Sequence, residues 1–460
     1  MEISFIIFQI LKSWWWFFLP IILWFPAKFF YLWWIRWEVW YPKFKWILLE
    51  IKPPKEVLKP FSAMENIFSI LWGIIDIPNW RERWCEGELV LGGGLWFSFE
   101  IASFGGEIHF FMRIPDFFRN SAEAAIYSQY SEAEISLVED YTKKVPKNVP
   151  NKNWDLYGED FNLIKDDCYP IKTYLMFFEE RPETLKEEKR LDPMDSLLED
   201  MSKLKSDEQF WLQIVTNPIL NTLIPWETKG REIADRIAKR PPPTKPKPMW
   251  QEAAEILISG KPAEEKKEKP MELIAPELRL TPGEKEILTG IENKIKKYAY
   301  QTWIRIVYLY QKDKPFFLGR HNIGRSYFNQ FMTGNLNTIL YMGPTRTRIH
   351  YWLKDRRLYL RKRKQFRNYV ERLPPYFPWN FEGKPVFPQI PPFYPMGPGS
   401  GKGTFVLNIE ELATIFHIPA KIMVPTVPRV EAKKAGPPPG LPAEIKEEIP
   451  PKEEMLPPGK

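Results

Sequence analysis

The sequence predicts an α+β chain: an N-terminal transmembrane or membrane-anchor helix, two ferredoxin-like (split βαβ) α+β units, and a disordered Pro-rich tail. Three observations carry this reading. Between Ile3 and Ile35 the only charges are Lys12 and Lys28. Beyond Pro53, strand-like runs of period two alternate with helix-like runs of period 3.6. Of 460 residues, 46 are proline, and they gather in a few stretches without periodicity, as linkers do. The segments are then 1–52 (anchor and juxtamembrane), 53–226 (first α+β domain), 227–280 (Pro/Lys/Glu-rich linker), 281–424 (second α+β domain with a basic helix) and 425–460 (tail).

The uncharged core Ser13 to Ala27, extended to Ile35, is long enough to cross roughly 30 Å of hydrocarbon. Trp14, Trp15 and Trp16 stand on one side of it, and Trp33, Trp34, Trp37 and Trp40 on the other. Indole rings favour the headgroup zone, so these clusters are expected as two interfacial belts. A cleaved signal peptide fits poorly, because a basic start and a small-residue cleavage site are both missing. Arg36, Lys43, Lys45, Lys52, Lys55 and Lys59 follow the segment, while Glu2 is the only charge before Lys12. The positive-inside rule therefore puts the N-terminus outside and the bulk of the chain in the cytoplasm, held at the cell membrane by a single anchor. Pro20, Pro26 and Lys28 leave a re-entrant or in-plane hairpin open.

Val39 to Ile51 reads as juxtamembrane and amphipathic, and Glu56 to Ile70 has helical spacing. Leu95 to Ala102 and Glu107 to Ile114 form a hairpin about Phe104-Gly105-Gly106. Pro115 opens a helix to about Tyr130, and Ala133 to Val138 is a strand. Ile171 to Phe178 is expected as a strand, and Asp192 caps a helix to Leu204 with proline at its first position. Glu208 to Val215 is a strand. Within the linker a short helix is expected at Trp250 to Ile258. Thr281 starts a helix to Lys296, Thr302 to Tyr310 is a strand, Asn322 to Asn335 a helix, and Tyr351 to Arg372 a basic helix. Thr404 to Leu407 is a short strand, followed by a helix from Ile409 to Phe416. The unit 281–310 echoes Met194 to Val215, a weak sign of duplication.

Composition excludes several chemistries. Cys85 and Cys168, with His109, His321, His350 and His417, are the whole thiol and imidazole supply. No two fall at zinc-ligand spacing, and two cysteines make no disulfide framework. A formal net charge of +7 is modest for this length, so local distribution matters more. Gly397 to Thr404 (GPGSGKGT) resembles a phosphate loop with Lys402 as its lysine. It lacks a preceding strand and a following helix, so a plain loop is expected. Asp166-Asp167 and Glu179-Glu180 have no partner arrangement, and His109, in a strand, reads as structural. No catalytic residue, cofactor or metal site is predicted, and the chain is expected not to be an enzyme.

The basic helix is the stronger signal. Arg356, Arg357, Arg361, Lys362, Arg363, Lys364 and Arg367 stand among Tyr359, Phe366 and Tyr369. Such a surface suits single-stranded DNA, whose phosphates it would track and whose bases it would stack. It equally suits anionic lipid or a partner protein, or a merely solvated face.

Several stretches resemble membrane-anchored type IV secretion or conjugation-like ATPases from candidate-phylum bacteria. They are the Trp-rich start, Trp46 to Ile51 (WILLEI), Asn79 to Arg83 (NWRER), Gly106 to Phe111 (GEIHFF) and Tyr130 to Ile135 (YSEAEI). Tyr141-Thr142, Asn151 to Tyr157 (NKNWDLY), Tyr169 to Thr173 (YPIKT) and Asn408 to Ala413 (NIEELA) add to them. The resemblance implies the non-catalytic N-terminal region of that family, without its ATPase module, and it transfers no catalytic residue. The expectation that follows is a non-catalytic, membrane-anchored scaffold docking a separately encoded secretion-type ATPase at the cytoplasmic face. The alternative is a membrane-held single-stranded DNA-binding module using 351–372. The lipid bilayer and self-association into a homo-oligomer complete the expected partners.

Overall fold

The computed structural model describes residues 2–54, 60–87, 96–177, 192–222, 224–240, 280–314, 318–349, 353–375 and 403–419. The expected helix at 250–258, Glu179-Glu180, Lys402 with most of its loop, and the tail 425–460 lie outside these residues.

The first element is α1 (Glu2–Trp34), which runs through Pro20 and Pro26 and passes into a π-helical turn, Ile35–Trp40. It is one helix long and apolar enough to cross a membrane. The body behind it mixes helix and strand around one antiparallel sheet. Its elements are β1 (Trp46–Lys52), α2 (Pro60–Trp72), β2 (Phe97–Phe104), β3 (Glu107–Pro115), α3 (Arg119–Gln129), β4 (Glu134–Val138) and β5 (Trp154–Leu163). There follow α4 (Pro193–Ser202), β6 (Glu208–Pro218), α5 (Trp226–Ile237), α6 (Pro282–Ile295), β7 (Ala299–Gln311) and α7 (Ile323–Asn329). The last are β8 (Ile339–Tyr341), α8 (Lys354–Val370), β9 (Phe405–Asn408) and α9 (Ile409–Ile415).

The sheet order is β4-β1-β3-β2-β6-β7-β5-β8, with β9 also on β7. The first four strands by sequence thus lie as 4-1-3-2, and β5 to β8 lie as the same order reversed. The two groups meet at β2 and β6, where Phe97 faces Thr216 and Phe104 faces Gln209. β7 is long enough to hold β9 at its start, Ala299 to Thr302, and β5 further along, Ile304 to Gln311.

β6 falls inside 53–226 and β7 inside 281–424, yet they pair from Glu208–Tyr310 to Pro218–Tyr300. The segment between them therefore joins two strands of one sheet. Its start is also helical: α5 packs on α6 through Ile233, Ala234, Leu288 and Ile291. The close fit explains Gly230, where a Cβ would stand 2.6 Å from Ile295 Cγ2.

The hairpin β2–β3, α3, β4, α4, β6, α6, β7, α8, β9 and α9 occur where the sequence predicts them. Asp192 caps α4 through Met194 N–H, and Thr281 and Glu284 make a reciprocal cap on α6, each satisfying a donor left over at a helix start. Gly105 and Gly106 turn the hairpin with φ of +62° and +95°, a conformation glycine reaches without a Cβ penalty. Two expectations fail. WILLEIK at Trp46–Lys52 is a strand between β3 and β4 rather than an amphipathic juxtamembrane segment. Ile171 to Phe177 is irregular chain with one 3-10 turn, Tyr174–Met176, and Phe178 lies outside the described residues. Its backbone bonds to side chains of α9 instead: Ile171 N–H to Glu411, and Tyr174 N–H to Thr414.

The two sheet faces differ. One, carrying Leu49, Phe99, Ile101, Phe110, Met112, Leu212, Ile214, Ile304 and Ile306, is apolar and lies in one core with residues of α2, α3, α4, α7 and α9. The other holds Leu48, Phe111, Trp211, Val307 and Leu309 under Phe366 and Tyr369 of α8, together with buried Glu100, Gln213 and Arg305.

Candidate functional site

α1 is fixed into the body at its C-terminal end. Trp37 lies 6.5 Å from Trp96 and 5.2 Å from Tyr41, and Trp96 lies 5.6 Å from Trp303 of β7. Trp40 is buried, stacking edge-on to Phe44. The second tryptophan cluster is therefore divided: Trp37 and Trp40 pack with the body, whereas Trp34 stays half exposed. Trp14, Trp15 and Trp16 are all half exposed or more, and Trp33 lies on the same helix.

A second segment climbs the side of α1. Trp84 stacks against Trp24 and Tyr31, its carbonyl accepts the Tyr31 hydroxyl at 2.7 Å, and Lys28 Nζ lies 5.2 Å from its ring centre. Residues 24, 28 and 31 share one helical face, so the charge of Lys28 is met by an aromatic ring. Trp80, in the same segment, is 71% exposed. An indole this open beside an apolar helix has the character of an interfacial residue.

The basic helix α8 has two faces. Gln365, Phe366, Asn368 and Tyr369 are buried on the sheet, and Gly158 of β5 lets the helix close in, since a Cβ there would meet Gln365 Cγ at 2.8 Å. Arg361 and Lys362 turn inward: Arg361 Nη1 donates to Arg346 O at 2.8 Å, and Lys362 pairs with Asp155 at 2.7 Å. Arg356, Arg357, Arg363, Lys364 and Arg367 are exposed. Arg363 lies 5.7 Å from the Tyr359 ring centre. Of the seven basic residues singled out by sequence, five thus face solvent and two are engaged by the fold.

The C-terminus of α8 is held by a buried charge cluster. Arg372, at φ 55°, follows the last helical turn where glycine is usual. Its Nε and Nη2 donate to Glu100 at 2.9 and 3.0 Å, and Nη1 donates to Asp140 at 2.5 Å. Tyr141 donates to Glu100 as well. Burial disfavours both carboxylates, but the adjacent guanidinium outweighs it and holds Glu100 and Asp140 below the usual carboxylate range. Leu373 then packs beside Trp96 and Trp303, so the basic helix ends at the aromatic cluster that follows α1.

Other predicted positions are structural. His109 Nδ1 lies 2.6 Å from Glu50 on the neighbouring strand. Asp166 pairs with Lys229. Burial pushes the Cys168 thiol up. Thr404 accepts from Gln301 as part of the sheet edge. Among the described residues no three His, Cys, Asp or Glu side chains converge as metal ligands.

Sequence reasoning misses one cluster: Tyr157, Glu159, Arg325, Arg346 and Arg348. Glu159 is fully buried with Arg325 across it, Nη2 at 2.6 Å and Nε at 3.0 Å. The alternating TRTRI of Thr345 to Ile349 was a legible hint, but no motif links it to β5.

No curated protein matches the chain. A family model, the domain of unknown function DUF8128, matches residues 45–426, which begins after α1 and takes in the whole described sheet. The chain belongs to the DUF8128 family.

Proposed function

We propose that this protein is a membrane-anchored, non-catalytic scaffold subunit of a type IV secretion or conjugation-like transfer apparatus. Its body lies at the cytoplasmic face of the cell membrane and docks a separately encoded ATPase. The observation that carries the reading is the double attachment of α1, through Trp37, Tyr41 and Trp96 at its base and Trp84 along its side. A helix held at two levels transmits load between bilayer and body, which a loosely tethered domain does not. The body itself reads as two split βαβ units joined at β2 and β6, since each half has the strand order 4-1-3-2.

Lys143→Cys, at an exposed position on the body and in a chain with Cys85 replaced by serine, tests the orientation. A membrane-impermeant maleimide should label it only after the cells are permeabilised. Labelling of intact cells would invert the topology. Purification of the tagged protein with the ATPase encoded alongside should recover both, and recovery of the tagged protein alone would remove the docking role.

A second reading is single-stranded DNA binding at α8. The exposed Arg356, Arg363 and Arg367, with the exposed Tyr359 ring between them, favour it. It predicts affinity that falls steeply with salt.

A further inference from the structure

We infer that the cleft between β5, β7 and α8 binds a phosphate monoester in its dianionic form. The cavity, about 220 Å³, is lined by Tyr157 of β5, Tyr310 of β7, Lys362 of α8, His321, and Arg346 and Arg348 from the chain after β8.

Charge gives the first reason. The lining cations Arg346, Arg348 and Lys362, with the adjoining Arg325, number four, against two carboxylates, Glu159 and Asp155. The surplus is two positive charges, counting His321 as neutral. A phosphate monoester carries about −1.5 to −2 at neutral pH.

Hydrogen bonding gives the second. Each carboxylate is already engaged. Glu159 accepts from Arg325 and from the Tyr157 hydroxyl at 2.8 Å, and Asp155 accepts from Lys362 and from the Tyr310 hydroxyl at 3.1 Å. The Tyr157 oxygen also accepts from Arg325 at 2.9 Å and from Arg346 Nε at 3.0 Å. Burial, then Glu159, pushes its pKa up to about 12, so it stays a neutral hydroxyl. What remains unused is cationic. The two terminal nitrogens of Arg346 and the whole Arg348 guanidinium have no protein acceptor among the described residues.

Pre-organisation gives the third. Arg346 is aimed by its Nε bond to Tyr157 and lies 5.2 Å from the Tyr341 ring centre, while Arg325 lies 3.9 Å from the same ring. A guanidinium held this way presents its planar fork with little rotamer freedom left to lose, which suits tetrahedral oxyanions. The Tyr157 and Tyr310 rings supply a wall for the organic group carrying the phosphate.

Calorimetric titration of the full-length protein in detergent, at about pH 7.5 and low salt, tests this. Inorganic phosphate, a nucleoside 5′-monophosphate and O-phosphoserine separate the possible carriers of the group, and acetate controls for charge alone. At least one phosphate compound should bind about tenfold or more tightly than acetate. Arg346→Gln and Arg348→Gln should each weaken that binding roughly tenfold or more. Arg348 is exposed, so its variant should fold normally, and Arg231→Gln on the exposed side of α5 should bind as the wild type does. Absence of heat from all three phosphates at roughly 10 mM, or equal losses in Arg231→Gln and Arg348→Gln, would overturn the assignment.

Discussion

Replacing Arg372 by methionine removes the cation at the centre of the Glu100–Asp140 cluster and keeps an aliphatic stem. Glu100 is fully buried, and both its oxygens are bonded to the lost guanidinium. Breaking a buried pair from one side costs about 3–5 kcal/mol at neutral pH, since the remaining charge has no compensation. The pH dependence is more diagnostic than the size. In the wild type, Glu100 and Asp140 have depressed pKa values. Their stabilisation is present above the unfolded carboxylate value near 4 and is lost as pH falls through the folded values. In Arg372→Met, burial acts on Glu100 against only the neutral donors Ser98, Tyr141 and Gln213, and raises its pKa above the unfolded value. Stability of the variant should then fall as pH rises from about 5 to about 7.5, where the wild type is level. Glu100→Gln with Arg372→Met should recover about half the loss or more, a coupling of about 2 kcal/mol. Urea unfolding of full-length protein in detergent, followed by tryptophan fluorescence, measures all three proteins. A loss under about 1 kcal/mol with a wild-type pH slope would mean that these charges are solvated and do not fix the end of α8.

Three further outcomes are expected. Gly106→Ala should destabilise by about 2 kcal/mol or more, because φ is +95° and the new Cβ would stand 2.6 Å from Ser202 O, whereas Gly319→Ala, with open space around it, should change little. Lys294→Met should cost about 3 kcal/mol near pH 7.5. Lys294 pairs at 3.0 Å with the fully buried Glu411, whose pKa burial already raises, so the cost should shrink towards pH 5 as the carboxyl takes a proton in the folded state. Arg363→Gln with Arg367→Gln should leave unfolding midpoints unchanged but, on the DNA-binding reading, lower the salt dependence by about 0.7 per lost phosphate contact; an unaltered slope would remove α8 from the interface.

Local signals made much of the fold legible. Asp192-Pro193 and Thr281-Pro282 announce helix starts by their own chemistry, and the alternation in Glu208 to Val215 and Thr302 to Tyr310 announces strands. β5 was hidden because WDLYGEDFNL carries three carboxylates and a glycine, which is poor strand composition. Its acidic groups are tolerated because Arg305 meets Asp160 and Arg325 meets Glu159, partners roughly 150 residues away that no local window contains. β1 was hidden by the opposite problem: beside an apolar anchor, WILLEIK looks like more of the same. The basic helix was readable as an element, but which of its cations face the protein depends on Asp155, which meets Lys362, and the Arg346 carbonyl, which meets Arg361, positions set only by tertiary packing.

The pairing of β5 with β7 has a consequence for biogenesis. During synthesis, residues 154–163 emerge long before their neighbour at 299–311, a delay of roughly 150 residues or on the order of ten seconds at about 5–20 residues per second. Through that interval Glu159 and Asp160 have neither arginine to meet them. The nascent half-sheet is thus an acidic intermediate with β6 as an unpaired edge, and ribosome pausing anywhere between Pro218 and Ala299 should prolong its exposure to proteases.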